Sequence, residues 1–316
     1  MSLKIGTRGS RLALAQSEWI RIKLKEQYPE IQIEVVPIKT KGDRILDSPL
    51  SRIGGKGLFV KEIEDALLKN KIDLAIHSMK DLPAELPPDL TLTVFPQRED
   101  PRDALISLQD FNIAELPQGA YVATGSLRRA AQLLALRPDL QIAPLRGNVD
   151  TRLNKLESGE FSAMILAVAG LKRLGLIARA GSILAPEYFL PAIGQGALGV
   201  EIRAADAATA GLLSFLNHPE TEYTIRAERS FLKTLQGGCQ VPIAGYARME
   251  HNRITLQGLV AELNGRKLFK DSIQGPAEEC EKIGTALAQR LLAAGADKIL
   301  EEIYNKSNSC GIETAS

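Results

Sequence analysis

Twice along the chain a short apolar run breaks at a small Gly/Ser/Thr turn, passes into a helical segment and meets another apolar run. The first passage reads as a strand over residues 3–7 and the turn Arg8-Gly9-Ser10, with Ser10 as N-cap. A helix over 11–27 follows, spaced through Leu12, Ala15, Trp19 and Ile22, with Leu24 off that stripe. Next come a β-rich run over 31–38, a helix over 58–69 and a buried strand over 74–77. The second passage reads as strand 121–123, turn Thr124-Gly125-Ser126, helix 127–136, strand 141–145, helix 149–158 and strand 163–167. Strands alternating with helices require a parallel sheet covered by helices. Two such passages predict two α/β halves that echo each other in architecture and not in sequence.

Between these elements lies a long loop, residues 39–57, with Gly42, Gly54, Gly55 and Gly57. Loops of that length are functional or disordered, and this one reads either as a flexible lid over a site or as disorder. After Pro191 a Gly-rich stretch, 194–199, leads into strand 200–203, which can return the chain to the first sheet through a hinge. From about Thr221 the pattern changes. A helix over 224–235, the turn Gly237-Gly238-Cys239, alternating runs over 243–249, 253–261 and 267–273, and a helix over 277–304 predict a small α+β unit. The polar stretch 306–316 reads as a frayed tail.

Composition narrows the function classes. Lys plus Arg number 39 against 38 Asp plus Glu, so the basic excess of a general nucleic-acid binder is missing. The scattered Cys239, Cys280 and Cys310 speak against a disulfide framework and for a reducing compartment, and with three scattered histidines no metal site is expected. No run of 18 apolar residues predicts a membrane span, and MSLKIGTRGS lacks the apolar core of a secretory signal.

Local charge says more than net charge. Arg8 and Arg11 flank the first strand-to-helix turn, and Lys80 follows the strand over 74–77. Arg128 and Arg129 sit in a helix's first turn, Arg146 follows a strand, Arg152 opens a helix, and Arg173 lies beyond the last strand of the second half. Cations oppose the dipole in a helix's first turn, so helix stability does not explain Arg128 and Arg129. Open α/β sheets gather ligands beyond the carboxyl ends of their strands, where helix N-termini and Arg bind anions. The set therefore reads either as solvated surface arginines or as a cleft for a ligand with several negative groups, and its placement favours the cleft.

Three features keep two readings. Asp81, in Lys80-Asp81-Leu82-Pro83, is either a turn residue or an acid/base group among cations. Cys239 is either a small buried hydrophobe or, in its Gly-Gly-Cys turn, a reactive or modified thiol. Gly194-Gln195-Gly196-Ala197-Leu198-Gly199 has the GxGxxG spacing, but a proline precedes it and a strand follows, so it points to a hinge or tight packing and not to a dinucleotide site.

Seven stretches taken together resemble the porphobilinogen deaminase (hydroxymethylbilane synthase) family. They are GTRGS with LALAQ at 6–16, KGLFVKE at 56–62, HSMKDLP at 77–83, SLRR at 126–129, LRGNVDTR at 145–152, LPAIGQG at 190–196 and GGCQVP at 237–242. They run in family order over nearly the whole chain. Gly57 and Gly125 depart from it, standing where many relatives have Ala and Ser.

The resemblance implies an α/β fold: two periplasmic-binding-protein-like βαβ domains with a hinged cleft, plus a small α+β C-terminal domain. The corresponding bounds are 1–97 with 196–216 for the first domain, 98–195 for the second, 217–305 for the third and 306–316 for the tail. It also implies a dipyrromethane cofactor attached by a thioether to Cys239, with Lys80, Asp81, Thr124, Ser126, Arg128, Arg129, Arg146 and Asn148 around it. Arg8, Ser10, Arg11, Gln16, Lys56, Phe59, Arg152, Arg173 and Gln195 would meet porphobilinogen and the growing oligopyrrole chain. Four porphobilinogens would be joined head to tail with loss of ammonia, and water would release hydroxymethylbilane. Asp81 would be the catalytic group, stabilising the cation left by ammonia, and Cys239 an anchor. Each porphobilinogen brings an acetate and a propionate, which suits a cleft rich in cations. A monomeric transferase of porphyrin, heme or chlorophyll biosynthesis is expected, cytoplasmic or in a plastid stroma, without nucleic-acid or membrane partners. The rival is a non-catalytic two-lobed binder of a small polycarboxylate, which has no need of Cys239 in such a turn.

Overall fold

The computed structural model describes residues 2–44, 57–238 and 241–310, apart from the side chains of Arg44 and of residues 306–310. The first lobe begins with β1 (Ser2–Arg8), α1 (Arg11–Gln27), β2 (Gln32–Ile38), a single turn α2 (Lys41–Arg44), α3 (Lys61–Leu68), β3 (Leu74–Ser78) and β4 (Leu90–Val94). The second contains β5 (Asp103–Ser107), β6 (Tyr121–Ala123), α4 (Leu127–Leu136), β7 (Gln141–Ala143), α5 (Val149–Glu157), β8 (Ala163–Ala167), α6 (Val168–Arg173) and β9 (Ser182–Leu184). The chain then returns through β10 (Leu198–Arg203) and α7 (Ala207–Leu213).

Among the described residues each lobe holds a five-stranded sheet, ordered β2-β1-β3-β10-β4 and β7-β6-β8-β5-β9. Four strands in each run in one direction, the first three in order paired in parallel. The fourth in order, β10 or β5, is antiparallel to both its neighbours. Those fourth strands are the two crossings between lobes: β5 enters the second sheet from the first lobe, and β10 comes back. The expected return through residues 200–203 is therefore present; the strand β5, which follows the first crossing, is an addition to the sequence reading. Leu74–His77 of β3 are buried, as expected of a strand covered on both faces.

The third unit has α8 (Pro219–Thr234), the antiparallel sheet β11 (Ile243–Glu250), β12 (Arg253–Ala261) and β13 (Leu268–Pro276), then α9 (Cys280–Leu291) and α10 (Asp297–Cys310). Phe231 of α8 is buried against this sheet and α9. Close approach of α9 to α8 depends on Gly284, where a Cβ would lie 2.3 Å from the Ala227 carbonyl oxygen. Fully buried Glu228 ties the unit to the crossings, accepting from Arg98 (2.6 Å), the Gly194 amide (2.6 Å) and the Ala247 amide (2.8 Å).

Several expectations need correction. Helix α1 buries Ala13, Gln16, Ser17, Ile20 and Leu24, while Trp19 and Ile22 of the expected stripe are exposed. Its core face sets the small or polar Ala13, Gln16 and Ser17 beside Ile20 and Leu24, and the apolar count passed over the first three. Leu12 instead faces Gly170 of the second lobe. Helix α8 starts at Pro219 and not at 224, because His218 caps it by accepting from the Thr221 amide. Strand β7 ends at Ala143, and α3 begins only at Lys61 after a turn over 57–60. The expected helix over 277–304 breaks at Gly295 (φ +110°), and α10 continues to Cys310, into the stretch read as tail. Of the expected loop over 39–57, residues 41–44 are helical, and 45–56 lie outside the described residues. Among the described residues no helix is long and apolar enough to cross a membrane.

Candidate active site

A cleft enclosing about 1580 Å³ runs between the lobes and touches the third unit. Three helices point their N-termini into it; the cap at Ser10 was expected, and those at Ser126 and Asn148 are added by the structure. Ser10 Oγ accepts from the Ala13 amide (3.3 Å) at α1, and Ser126 Oγ from the Arg129 amide (3.4 Å) at α4. The Asn148 side-chain oxygen takes the Thr151 amide (2.8 Å) and hydroxyl (2.9 Å) at α5. As cap acceptors, the two serines keep their hydroxyl protons for other partners. Neither α1 nor α4 has an acidic residue in its first turn, so those dipole ends are open to an outside anion.

The cations meet this zone in two ways. On the floor, Asp103 opens β5 fully buried. It accepts from Arg128 Nη1 (2.8 Å), Arg129 Nη2 (2.6 Å) and Nε (3.1 Å), and Gln195 Nε2 (3.0 Å). Burial alone would raise its carboxyl, but Arg128 and Arg129 hold it well below the usual carboxylate range. Arg128 and Arg129 also donate to the Leu190 and Ile165 carbonyls (2.7 and 2.9 Å). Sequence reasoning took these two arginines as waiting only for a ligand, and they prove to share an internal carboxylate. At the rim, Arg8 pairs with Asp43 and its guanidinium lies 4.3 Å over the Phe59 ring, while Arg11 reaches across to Asp150 (2.7 Å).

Asp81 closes the turn Met79–Asp81 that follows β3. It lines the cleft, and among the described residues it makes no hydrogen bond or ion pair. Its neighbour Lys80 lies 3.4 Å from Gln195 Oε1, and burial followed by the nearby Arg129 brings the ammonium down to about 8. Burial likewise lowers Arg152, tied to the Gly147 carbonyl (2.9 Å), and Arg173, tied to that of Gly196 (2.7 Å), each to about 10. The GxGxxG stretch packs against this corner. A Cβ at Gly194 would sit 2.7 Å from the Met79 Cβ, and one at Gly196 2.2 Å from the Glu99 carbonyl oxygen. Both have positive φ, and a strand follows, so close packing is their role and not dinucleotide binding.

The cleft brings together Arg8, Ser10, Arg11, Gln16, Phe59, Lys80, Asp81, Ser126, Arg128, Arg129, Arg146, Asn148, Arg152, Arg173 and Gln195. Thr124 is not among its walls. It is buried, and its hydroxyl accepts from the Ser126 amide (3.2 Å), so it shapes the turn from beneath. Cys239 and Lys56 lie outside the described residues, but Gly237, Gly238 and Val241, which bracket Cys239, line the cleft. At Gly125 a Cβ would come within 2.6 Å of the Leu145 carbonyl oxygen, so the bare backbone fits this turn closely. Asp103 is the principal residue that the sequence reading missed. An Asp opening the apolar run Ala104–Ile106 was a usable signal, since a charge leading into a buried strand needs a partner.

Comparison with known proteins agrees with this arrangement. Residues 3–211 match the family model described as porphobilinogen deaminase, dipyromethane cofactor binding domain, and residues 222–293 match porphobilinogen deaminase, C-terminal domain. The chain is 52% identical over 304 residues to the porphobilinogen deaminase of Geobacter metallireducens, covering 96% of this chain and 95% of that protein. It is 53% identical over 299 residues to that of Syntrophotalea carbinolica, covering 95% of each. Among solved structures it is similar to the periplasmic aliphatic sulphonate binding protein SsuA from Escherichia coli, with 16% identity, TM-score 0.41 and coverage of 74% of this chain and 70% of that one.

Proposed function

The chain belongs to the porphobilinogen deaminase family, and on that footing we propose that it is a transferase joining four porphobilinogens head to tail with loss of ammonia. Hydroxymethylbilane is then released by hydrolysis. The observation that carries this reading is a cleft with cations from both lobes, a carboxylate at Asp81 with no hydrogen bond or ion pair among the described residues, and the Gly237-Gly238 turn on its wall. A non-catalytic polycarboxylate binder would account for the cations and leave that carboxylate and turn without a purpose.

The donor set suits a dipyrromethane. Two pyrroles carry four carboxylates between them, and Lys80, Arg146, Asn148 and the hydroxyl of Ser126 line the same cleft, with an open helix N-terminus at α4 beside them. We assign its attachment to Cys239. When bound, the group supplies a free pyrrole α-carbon as the growing end. Asp81 then works with two advantages: among the described residues no hydrogen bond or ion pair occupies its oxygens, although Lys80 and Arg152 feel its charge, and the Met79–Asp81 turn is wedged against Gly194. Its carboxylate accepts pyrrole N–H bonds and opposes the positive charge that develops as ammonia leaves. Lys80, Arg128 and Arg129 belong to the cofactor end, with Arg146 and Asn148. Arg8, Ser10, Arg11, Gln16, Lys56, Phe59, Arg152, Arg173 and Gln195 belong to the incoming and elongating substrate. Domain bounds of 1–97 with 196–216, 98–195 and 217–305, a monomeric state and a cytoplasmic location complete the proposal.

The test is the intact mass of the denatured protein beside Cys239→Ser and Asp81→Ala. The expected result is an excess equal to two porphobilinogens less two ammonias in the wild type and in Asp81→Ala, and none in Cys239→Ser. Asp81→Ala should turn over at least about a hundredfold more slowly. A wild-type mass that stays unmodified after incubation with porphobilinogen would overturn the reading, and near-normal turnover by Asp81→Ala would remove its assigned role.

A further inference from the structure

Arg8 faces the cleft with its guanidinium already engaged. Its Nε lies 3.2 Å from Asp43 Oδ1, and Nη2 contacts the same oxygen. The other oxygen, Oδ2, accepts from the Thr40 hydroxyl (2.8 Å) and amide (3.3 Å). This turn is seated against residues 57–60. The Gly42 amide donates to the Leu58 carbonyl (2.9 Å), and a Cβ at Gly42 would lie 2.3 Å from the Phe59 ring on which Arg8 stacks. A carboxylate is thus delivered to Arg8 by a short local segment, anchored independently of the arginine.

Burial separates this pair from the one on the floor. Asp103 has no exposure and is held by three side chains, so an incoming anion cannot replace it. Asp43 and Arg8 are each a quarter exposed, and Arg8 meets a single carboxylate oxygen. Once displaced, Asp43 keeps its bonds to Thr40 and faces water, so it suffers no unpaired burial.

We propose that Asp43 is an internal stand-in for a substrate carboxylate, occupying the face of Arg8 that an acetate or propionate of porphobilinogen takes, and that it thereby sets substrate affinity. The proposal rests on the reading of Arg8 as a substrate-carboxylate ligand. A ligand that must displace an internal competitor binds more weakly by the fraction of time the competitor is absent. Asp43 accordingly acts on KM, as an affinity-setting residue and not as a catalytic one.

The experiment uses the full-length, cofactor-loaded protein and the isosteric Asp43→Asn, which retains a partner for Thr40. KM for porphobilinogen is expected to fall by about three- to tenfold with kcat nearly unchanged. Inorganic sulfate, titrated at low ionic strength without substrate, should bind tighter by a similar factor. In an Arg8→Gln background the same substitution should change neither quantity. No gain in sulfate affinity, or a rise in KM, overturns the proposal and makes Asp43 a brace for Arg8. Should the wild type consume no porphobilinogen, the functional reading fails, and the sulfate titration still decides whether Asp43 competes for Arg8.

Discussion

Arginine meets aspartate at both ends of the cleft, under opposite physical conditions. On the floor, Asp103 has no exposure, and Arg128 and Arg129 have 5% and 8%. At the rim, Arg11 and Asp150 are 57% and 41% exposed, and their 2.7 Å contact spans the lobes from α1 to α5. A buried pair is expensive to break, because each remaining charge has lost its water. An exposed pair exchanges partners with solvent at little cost. The floor is therefore fixed scaffolding, which keeps two guanidiniums in one geometry whatever is bound. The rim is exchangeable, and its carboxylates can yield to those of a ligand. A site that admits a lengthening polyanion needs both kinds of end.

The comparison breaks most visibly at Asp103. Asp103→Asn leaves two buried guanidiniums without a counter-charge and should destabilise the protein by about 3–5 kcal/mol. Thermal or denaturant unfolding would measure this, and mass spectrometry should find little cofactor attached. The pH dependence has a definite sign. The folded-state carboxyl lies below its ordinary 3.8, so its contribution is complete above that value and is lost as pH falls toward the folded value. The gap between wild type and variant should therefore be constant above about pH 5 and narrow in acid. A loss under about 1 kcal/mol would mean that the floor tolerates exchange as the rim does.

The contrast between the two ends also explains what could be read in advance. The alternation, the cap Ser10, the turn ending at Ser126 and the cations beyond strand ends are local signals, set by residues a few positions apart. Helices 11–27 and 127–136 were legible to the residue for that reason. The pairing of Asp103 with Arg128 and Arg129 joins positions 25 and 26 apart, from the start of β5 to the first turn of α4, and spacing does not encode it. Strand β5 was missed along with it, because Asp103 beside Pro101 and Arg102 resembles a turn. Strand β4 offers only five residues, LTLTV, and β9 only three. The buried face of α1 was misread because position against a neighbour, and not apolarity, decided that Gln16 and Ser17 go in while Trp19 stays out.

An intermediate effect is expected at Lys80, which is hydrogen-bonded to the floor through Gln195 and feels the charges of Arg129 and Asp103. Burial brings its ammonium down to about 8, so the charge is present below that pH and lost above it. KM for porphobilinogen should be flat at neutral pH and rise severalfold between about pH 7.5 and 9.5, as the cleft loses one cation. Lys80→Arg should move that rise beyond the accessible range, since guanidinium stays protonated. A rise that persists in the variant would assign the titration to another group and detach Lys80 from the anion site.

The smallest effect belongs to the rim itself. In a double-mutant cycle with Arg11→Gln and Asp150→Asn, the coupling in unfolding free energy should be about 0.5 kcal/mol and shrink as salt is raised. Because the pair bridges the lobes, its loss should alter how readily they part more than how firmly either folds. Small-angle scattering in low salt would then show a slightly larger radius of gyration for the double variant, with an unchanged melting temperature. A coupling above about 2 kcal/mol would place this exposed bridge in the same class as the buried one. Exposure would then not be the property that separates a fixed carboxylate from an exchangeable one, and the geometry of each guanidinium fork would have to take its place.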